Sequence, residues 1–250
     1  MFRARFTPFA FAAFLIGTSF SSMPVHASDD DAAIAKSLAD MLRAARQVIS
    51  NNQARINDPT LGDKGLSGRV VLEQAIEIYS KNTGTNPANL DVGSRPGRLL
   101  RAQMDAIVEA TDANQATINA KGVAFKAFIP AVFARLVNEA FANRANNEAL
   151  VKVTAPEQLV RNRKSRPDAW ESEVIRSKLL QPDWPRGQAY SADTEIKDRQ
   201  AFRMMMPEYY ATSCLSCHGS PKGETDITGY PKEGGKDGDL GAIISVTLFK

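Results

Sequence analysis

Five residues near the C-terminus constrain this chain more than any other feature: Cys214-Leu215-Ser216-Cys217-His218. A C-x-x-C-H pattern is typical of covalent haem attachment, in which each thiol forms a thioether bond with one haem vinyl group. Two intervening residues bring both sulfurs to one side of a turn, and the histidine can bind the iron as its proximal ligand. We therefore predict one haem c, attached through Cys214 and Cys217 and bound at its iron by His218.

Three other interpretations of the motif stay open. A redox dithiol in a thioredoxin-like domain has most of its domain after the motif, whereas only 32 of the 250 residues follow His218 here. A zinc site needs four ligands, and the motif supplies three at most. A disulfide between the two cysteines would be strained and would close almost no loop. The pattern favours haem attachment over all three.

The first 27 residues have the pattern of a secretory signal peptide. Arg3 and Arg5 form a basic start, residues 6–17 are apolar, and Val25-His26-Ala27 fits the small-x-small cleavage rule. A membrane anchor is the alternative, but the apolar run is shorter than the ~18–20 residues that a span needs. We expect cleavage after Ala27, export to the periplasm and no membrane span in the mature chain, which fits haem attachment outside the cytoplasm.

Cleavage would also limit the ligands that the iron can have. The chain has two histidines, His26 and His218, and two cysteines, both in the motif. Without His26, the mature chain cannot supply a second histidine or a further cysteine to the iron. The 31 basic and 28 acidic residues nearly balance, so no excess charge suits nucleic acid or an anionic membrane.

The sequence of residues 28–119 predicts a helical region. Apolar residues repeat at helical spacing from Ile34 to Ile49, and again from Ser67 to Thr83, where Gly84 ends the pattern. A third helix is expected to begin near Gly97. Because such apolar stripes pack in a core or against a partner helix, the stripe from Ile34 to Ile49 is also a candidate homodimer or docking face.

Residues 120–250 mix strand and helix patterns. The predicted elements are strands at 124–129, around Val151 and Val153, at 201–206 and at 241–249, and helices at 131–141 and 170–180. This order, in which helices come first and are followed by strands with helices between them, predicts an α+β protein with an antiparallel sheet. We therefore divide the chain into a signal peptide (1–27), a helical region (28–119) and a haem domain (120–250).

Several stretches of the second half carry a family resemblance. They are residues 125–133, 151–154, 161–171, 202–207 and 214–219, and the run Gly-Ala-Ile-Ile-Ser-Val-Thr at 241–247. In these stretches the chain resembles the single-haem, PAS-like c-type haem proteins of bacteria, long catalogued as a domain of unknown function. The resemblance implies N-terminal helices followed by a PAS-like antiparallel sheet with flanking helices, and a role as a periplasmic haem protein or sensor module.

The chain departs from that family in two places. The usual R-N-P-x-N-x-P-D reads Arg161-Asn162-Arg163-Lys164-Ser165-Arg166-Pro167-Asp168 here, so a proline and an asparagine are lost. This basic run is either a solvated loop or a contact for haem propionates or an acidic partner, and Arg161 and Arg203 are the propionate candidates. Many members also carry an early helical cysteine that could reach the iron, and the corresponding position here resembles Tyr79.

The sixth ligand of the iron has few candidates in this sequence. They are Tyr79, which could bind as phenolate or pack on the porphyrin, and Met204, Met205 and Met206, of which strand alternation sends at least one to each face. Each methionine also suits a strand core. Because the mature chain would have no histidine or cysteine outside the motif, we expect the sixth coordination site of the iron to be open or weakly bound.

Three functions follow from these expectations. An open site favours gas binding or peroxide chemistry, whereas a strong sixth ligand favours electron transfer or redox sensing. We expect a periplasmic sensor of redox state or of a diatomic gas that acts through a redox partner or a membrane signalling protein. A soluble electron-transfer cytochrome is the alternative. A peroxidase-like enzyme ranks last, because no distal histidine is available for acid–base catalysis.

Overall fold

The computed structural model describes Met1 and residues 29–250. Apart from Met1, the predicted signal peptide, including His26, lies outside the described residues. Within them the helices are α1 (Asp29–Asn51), α2 (Gln53–Asn57), α3 (Gly68–Thr83), α4 (Arg95–Asp112), α5 (Gln115–Ile118), α6 (Pro130–Arg144), α7 (Ala169–Val174) and α8 (Leu215–His218). The strands are β1 (Ala149–Thr154), β2 (Tyr190–Ile196), β3 (Arg199–Tyr209) and β4 (Leu240–Phe249).

The helices of the first half begin and end where local side-chain chemistry favours it. The Ser67 hydroxyl accepts a hydrogen bond from the Val70 amide and caps α3, which satisfies one of the free amides of the first turn. Gly84 ends this helix in the left-handed conformation, at φ 73°, which costs glycine no steric strain. Ser94 caps α4 in the same way, by accepting from the Gly97 amide.

The apolar stripe of α1 lies in the core of the chain itself. Ile34, Leu38, Leu42, Val48 and Ile49 are all buried, and α1 contacts α3, α4, α6 and two strands of the sheet. The repeat that predicted a helix is therefore the face by which α1 organises the helical layer. A homodimer through the N-terminal helices stays a prediction.

The four strands form one antiparallel sheet in the order β1-β4-β3-β2. One face of the sheet packs on the helical layer and contributes Phe202, Met204, Met206, Ile244, Val246 and Leu248 to the main core. The other face carries Met205 and Ile243, which pack with α7 and the turn after it. The α+β class, with an antiparallel sheet and flanking helices, is thus confirmed.

The structure differs from the predicted elements in three places. The strand expected at 124–129 is wrong: Ala127 has φ 56°, which interrupts an extended chain, and this segment leads into α6 instead. Strand β2 was not predicted, because its sequence Tyr-Ser-Ala-Asp-Thr-Glu-Ile is mostly polar and alternates between partly and fully exposed. The helix expected at 170–180 is α7 followed by a π-helical turn, Ile175–Leu179.

Candidate functional site

The C-x-x-C-H motif lies on a short turn that follows strand β3. A 3₁₀ turn at Thr212–Cys214 leads directly into the single turn of α8. The Gly219 amide donates to the Leu215 carbonyl at 2.9 Å and closes that turn. Cys214 and Cys217 are free thiols and are partly exposed. The motif therefore presents both sulfurs on a compact turn where an external group can reach them.

The His218 ring is held by two side chains at its Nδ1 atom. Nδ1 lies 2.9 Å from Glu233 Oε2 and 3.3 Å from the Tyr210 hydroxyl. The Tyr210 ring stacks on the imidazole, with centroids 5.0 Å apart and an interplanar angle of 21°. Because Nδ1 faces a carboxylate and a hydroxyl, Nε2 is the ring nitrogen left to bind a metal.

Tyr210 is itself fixed between two glycines. A Cβ atom at Gly241 would lie 2.3 Å from Tyr210 Cε1, and one at Gly235 would lie 2.6 Å from Tyr210 Cε2. Only glycine leaves room for the tyrosine ring at both positions. Burial raises the pKa of Tyr210 to about 12, so the hydroxyl beside His218 stays neutral at ordinary pH.

Behind His218 lies an ion-pair cluster of Glu233, Arg161 and Asp226. Arg161 donates from Nε to Glu233 Oε1 at 2.8 Å, from Nη2 to Glu233 Oε2 at 3.0 Å and from Nη1 to Asp226 Oδ2 at 2.6 Å. A further hydrogen bond runs from Arg161 Nη2 to the Cys217 carbonyl at 2.9 Å. Arg161 therefore connects the motif backbone to the carboxylate that holds His218.

Both carboxylates of this cluster stay ionised. Burial disfavours the charge on Glu233, but hydrogen bonds from Arg161 and His218 hold its pKa below the ordinary value. For Asp226, burial also opposes ionisation, but hydrogen bonds from Thr228 and Arg161 hold the pKa well below the usual range. The His218 ring thus faces a negative charge that is fixed in place.

A cavity of about 660 Å³ opens beside the motif, between α1 and the end of β3. From α1 it is lined by residues that include Lys36, Arg43 and Arg46, and from the other side by Met206–Tyr209 and Cys214. Glu208 accepts from Arg43 Nε and from Arg46 Nη1, both at 2.6 Å. Asp40 also lines the helix side and pairs with Lys36 and Arg43, so the three cations of this wall face two carboxylates. The cavity reaches one of the two thiols.

The residues of this region fit a covalently bound haem. Arg46 Nε is buried and has no hydrogen-bond partner, so this wall of the cavity has a donor to offer an anionic group such as a propionate. Two free thiols and a histidine with its Nδ1 engaged complete the donor set that haem c needs.

The structure brings some of the predicted site residues together and separates others. Arg161 contacts the motif, and Met206 lines the cavity. Tyr79 and Met204 are buried in the main core, whereas Met205 lies on the opposite face of the sheet. Arg203 does not contact the motif. It pairs with Asp168 and Glu171, and its guanidinium lies over the Trp170 ring at 4.2 Å.

Several residues of the site were not predicted from the sequence. Glu233 and Tyr210 contact His218, and Arg43, Arg46 and Glu208 form the cavity wall. Only the closeness of Tyr210 to the motif in sequence was a usable signal. Glu233 reaches His218 across an irregular loop, and Arg43 and Arg46 meet Glu208 across more than 160 positions, so neither contact has a local pattern.

Residues 29–250 contain neither a ready-made metal cluster nor a helix suited to a membrane. No group of three or more histidine, cysteine, aspartate or glutamate side chains is placed there to hold a metal ion. None of the helices in this range is both long enough and apolar enough to cross a membrane.

Comparison with known proteins identifies the family. No curated protein and no solved structure matches this chain. The model of one family, described as Tll0287-like, matches residues 26–248. Because this match covers nearly the whole chain, the protein belongs to the Tll0287-like family.

Proposed function

We propose that this protein binds one haem c through Cys214, Cys217 and His218 and acts in the periplasm as a sensor of redox state or of a diatomic gas. The observation that carries the haem assignment is the contact between His218 Nδ1 and Glu233 Oε2 at 2.9 Å. A carboxylate at Nδ1 is a common partner of metal-binding histidines. Membership of the Tll0287-like family supports it, since Tll0287 is a cytochrome c-type haem protein.

The cavity residues have roles in this proposal. Arg43 and Arg46 would bind the propionates and Met206 would pack against the macrocycle, since all three line the space beside Cys214. When bound, the haem supplies an iron that changes oxidation state and can take a small ligand. His218 is oriented by Glu233, whose Oε2 lies 2.9 Å from His218 Nδ1.

Haem attachment is tested by exporting the full chain in cells that attach haem c. We expect the mass of the denatured protein to rise by one haem and the alkaline pyridine spectrum to be that of a haem with two thioether bonds. Cys214→Ala and Cys217→Ala should each leave at most one bond, and the double variant should lose covalent haem. Ser216→Ala, in the same turn but with no thiol, is the matched control. Covalent haem in the double variant would refute the assignment.

The sensor function is tested by adding CO or NO to the reduced protein. Binding is expected, because Tyr79, Met204 and Met205 lie away from the cavity beside Cys214. Met206→Ala reports whether the one methionine of the cavity competes with the gas, and Met205→Ala, on the opposite face of the sheet, is its control.

An electron-transfer cytochrome is the second candidate. The position of Met206 in the cavity beside Cys214 favours it, because a strong sixth ligand to the iron suits electron transfer. A reduced protein that takes neither CO nor NO and exchanges electrons rapidly with a soluble donor would favour this function over sensing.

A further inference from the structure

We propose that Glu233 is the positioning residue that sets the reduction potential of the iron bound by His218. The inference rests on the proposed function and deepens it, because it assigns the control of the iron to a carboxylate outside the motif. Three sets of contacts support it: those of the Glu233 carboxylate, those of the backbone that follows Glu233 and those of the residues that hold Arg161.

The Glu233 carboxylate has a single, well-defined orientation. Its two oxygens accept from Arg161 Nε at 2.8 Å and from Arg161 Nη2 at 3.0 Å, so the guanidinium binds it bidentately. Oε2 is also the atom that lies 2.9 Å from His218 Nδ1. The same oxygen therefore joins the arginine and the histidine, and rotation of the carboxylate would break all three hydrogen bonds.

The backbone beside Glu233 is tied to the backbone of the motif. The Gly235 amide donates to the His218 carbonyl at 2.8 Å, and the Gly234 amide donates to the Gly219 carbonyl at 3.0 Å. Residues 233–235 therefore run alongside residues 218–219. This pairing fixes the distance between the carboxylate and the imidazole from the main chain as well as from the side chains.

Arg161 is in turn held by Asp226, which is anchored in its own loop. Asp226 Oδ1 accepts from the Thr228 amide at 2.7 Å and from the Tyr230 amide at 3.2 Å, which leaves Oδ2 for Arg161. The Asp226 side chain is fully buried. The chain of contacts thus runs from Asp226 through Arg161 and Glu233 to His218.

A fixed carboxylate at Nδ1 changes what the imidazole gives to a metal. It holds the proton on Nδ1, keeps Nε2 as the ligand atom and increases the electron density that Nε2 donates. Because a stronger donor favours the more highly charged ferric iron, Glu233 lowers the reduction potential. Tyr210 shares Nδ1 through a neutral hydroxyl at 3.3 Å and has a smaller effect.

The test is the reduction potential of the haem-loaded protein with Glu233→Gln and with Asp226→Asn. The amide introduced by Glu233→Gln would keep the shape of the side chain and an acceptor oxygen but lose the charge. We expect the preference for ferric iron to fall about tenfold, at the low end of what loss of such partners costs. That is a rise of about 59 mV for a one-electron couple.

Asp226→Asn is the matched control, because it removes one negative charge from the same arginine without touching His218. Its potential should rise clearly less than that of Glu233→Gln. Equal shifts in the two variants, or no shift in Glu233→Gln, would overturn the proposal. Wild-type protein that acquires no covalent haem would instead reject the proposed function, so the two failures are distinguishable.

A second measurement on the wild type avoids any folding defect of the variants. In reduced protein labelled with ¹⁵N-histidine, with CO added where the iron is high-spin, we expect a protected, strongly deshielded Nδ1 proton. A ring proton that exchanges with water as fast as that of a free imidazole would also overturn the proposal.

Discussion

Two regions of this protein are held together by different kinds of interaction. The helical layer packs large apolar side chains, such as Leu38, Leu42 and Phe133, which are fully or almost fully buried. Between residues 211 and 239, which carry the motif, only Gly219 and Asp226 are buried. That segment is fixed by ion pairs and backbone hydrogen bonds instead.

This difference indicates what each region requires. Burial of apolar area stabilises the helical layer and involves no charge that pH could titrate or dilute salt could screen. The motif segment depends on charges, which respond to both. Five predictions test the contrast, from the largest effect to the smallest.

Phe133→Ala should produce the largest loss of stability. Phe133 lies on α6, is fully buried and packs edge-on against Phe128 with centroids 5.9 Å apart. Truncation of a buried phenylalanine costs about 3–5 kcal/mol in unfolding free energy. Urea unfolding followed by circular dichroism measures it, and Leu90→Ala, at an exposed site, is the control. A loss no larger than that of the control would show that the helical layer does not depend on this core.

Arg161→Ala should destabilise the motif segment by a smaller amount. It would leave the carboxylates of Asp226 and Glu233 without their cation, and loss of one partner from a buried pair costs about 3–5 kcal/mol. Because the Arg161 side chain is 19% exposed, we expect about 2–3 kcal/mol. Hydrogen exchange of residues 219–239 measures this local opening.

The control for Arg161→Ala is Arg69→Ala, which removes an exposed ion pair with Glu73. We expect no change in exchange for this variant. If Arg161→Ala increased exchange throughout α1 and α4 as much as in residues 219–239, the two regions would form a single cooperative unit. That result would contradict the view that the helical layer and the motif segment are stabilised separately.

The sequence predicted the helical layer far better than the site. Ile34, Leu38 and Leu42 recur at the helical period because one face of α1 is buried. The spacing of apolar residues in the sequence therefore predicts which face of the helix lies in the core. Ser67 and Gly84 mark the ends of α3 for equally local reasons. The motif was also local, and its residues were found as a unit.

The contacts that control the motif had no local pattern. Glu233 reaches His218 only because an irregular loop returns along residues 218–219, and no periodicity encodes that course. Arg203 was expected near the haem, but strand alternation places it beside Met205, on the sheet face that packs against α7 and away from the helical layer. The sheet face on which Arg203 lies depends on the strand register, because a shift of one residue moves every side chain of the strand to the opposite face.

Acidification should affect the motif segment before the helical layer. Although burial raises the pKa of Asp226, hydrogen bonds from Thr228 and Arg161 hold it below its ordinary value of 3.8. A carboxylate with a lowered folded-state pKa stabilises the fold at pH above the ordinary value, and that stability is lost as pH falls through the folded pKa. The effect should be smaller than that of Arg161→Ala, since Glu233 retains the arginine.

Hydrogen exchange of residues 219–239, measured between neutral pH and about pH 2 and corrected for intrinsic rates, checks this expectation. The wild type should open increasingly below about pH 4, the region of the ordinary aspartate pKa. Asp226→Asn should exchange moderately faster than the wild type at neutral pH while keeping the Glu233–His218 contact, and it should change less on acidification. A variant as acid-sensitive as the wild type would assign the effect to another carboxylate.

Ser67→Ala should have the smallest effect, because it removes a single cap. The Ser67 hydroxyl accepts from the Val70 amide at 3.3 Å, which is a long hydrogen bond, so we expect a loss of about 0.5–1 kcal/mol. Ser67→Asp, which keeps an acceptor, should restore most of it. Exchange in residues 219–239 should not change, because α3 and that segment share none of the contacts that hold the motif.

The double variant Ser67→Ala/Arg161→Ala therefore gives the sharpest comparison of the two regions. If the helical layer and the ion-pair cluster act independently, the unfolding free-energy changes of the two substitutions should add to within about 0.5 kcal/mol. A larger coupling would mean that the cluster around Arg161 stabilises the helical layer directly, and the motif would then be able to pass a change at His218 to the helices.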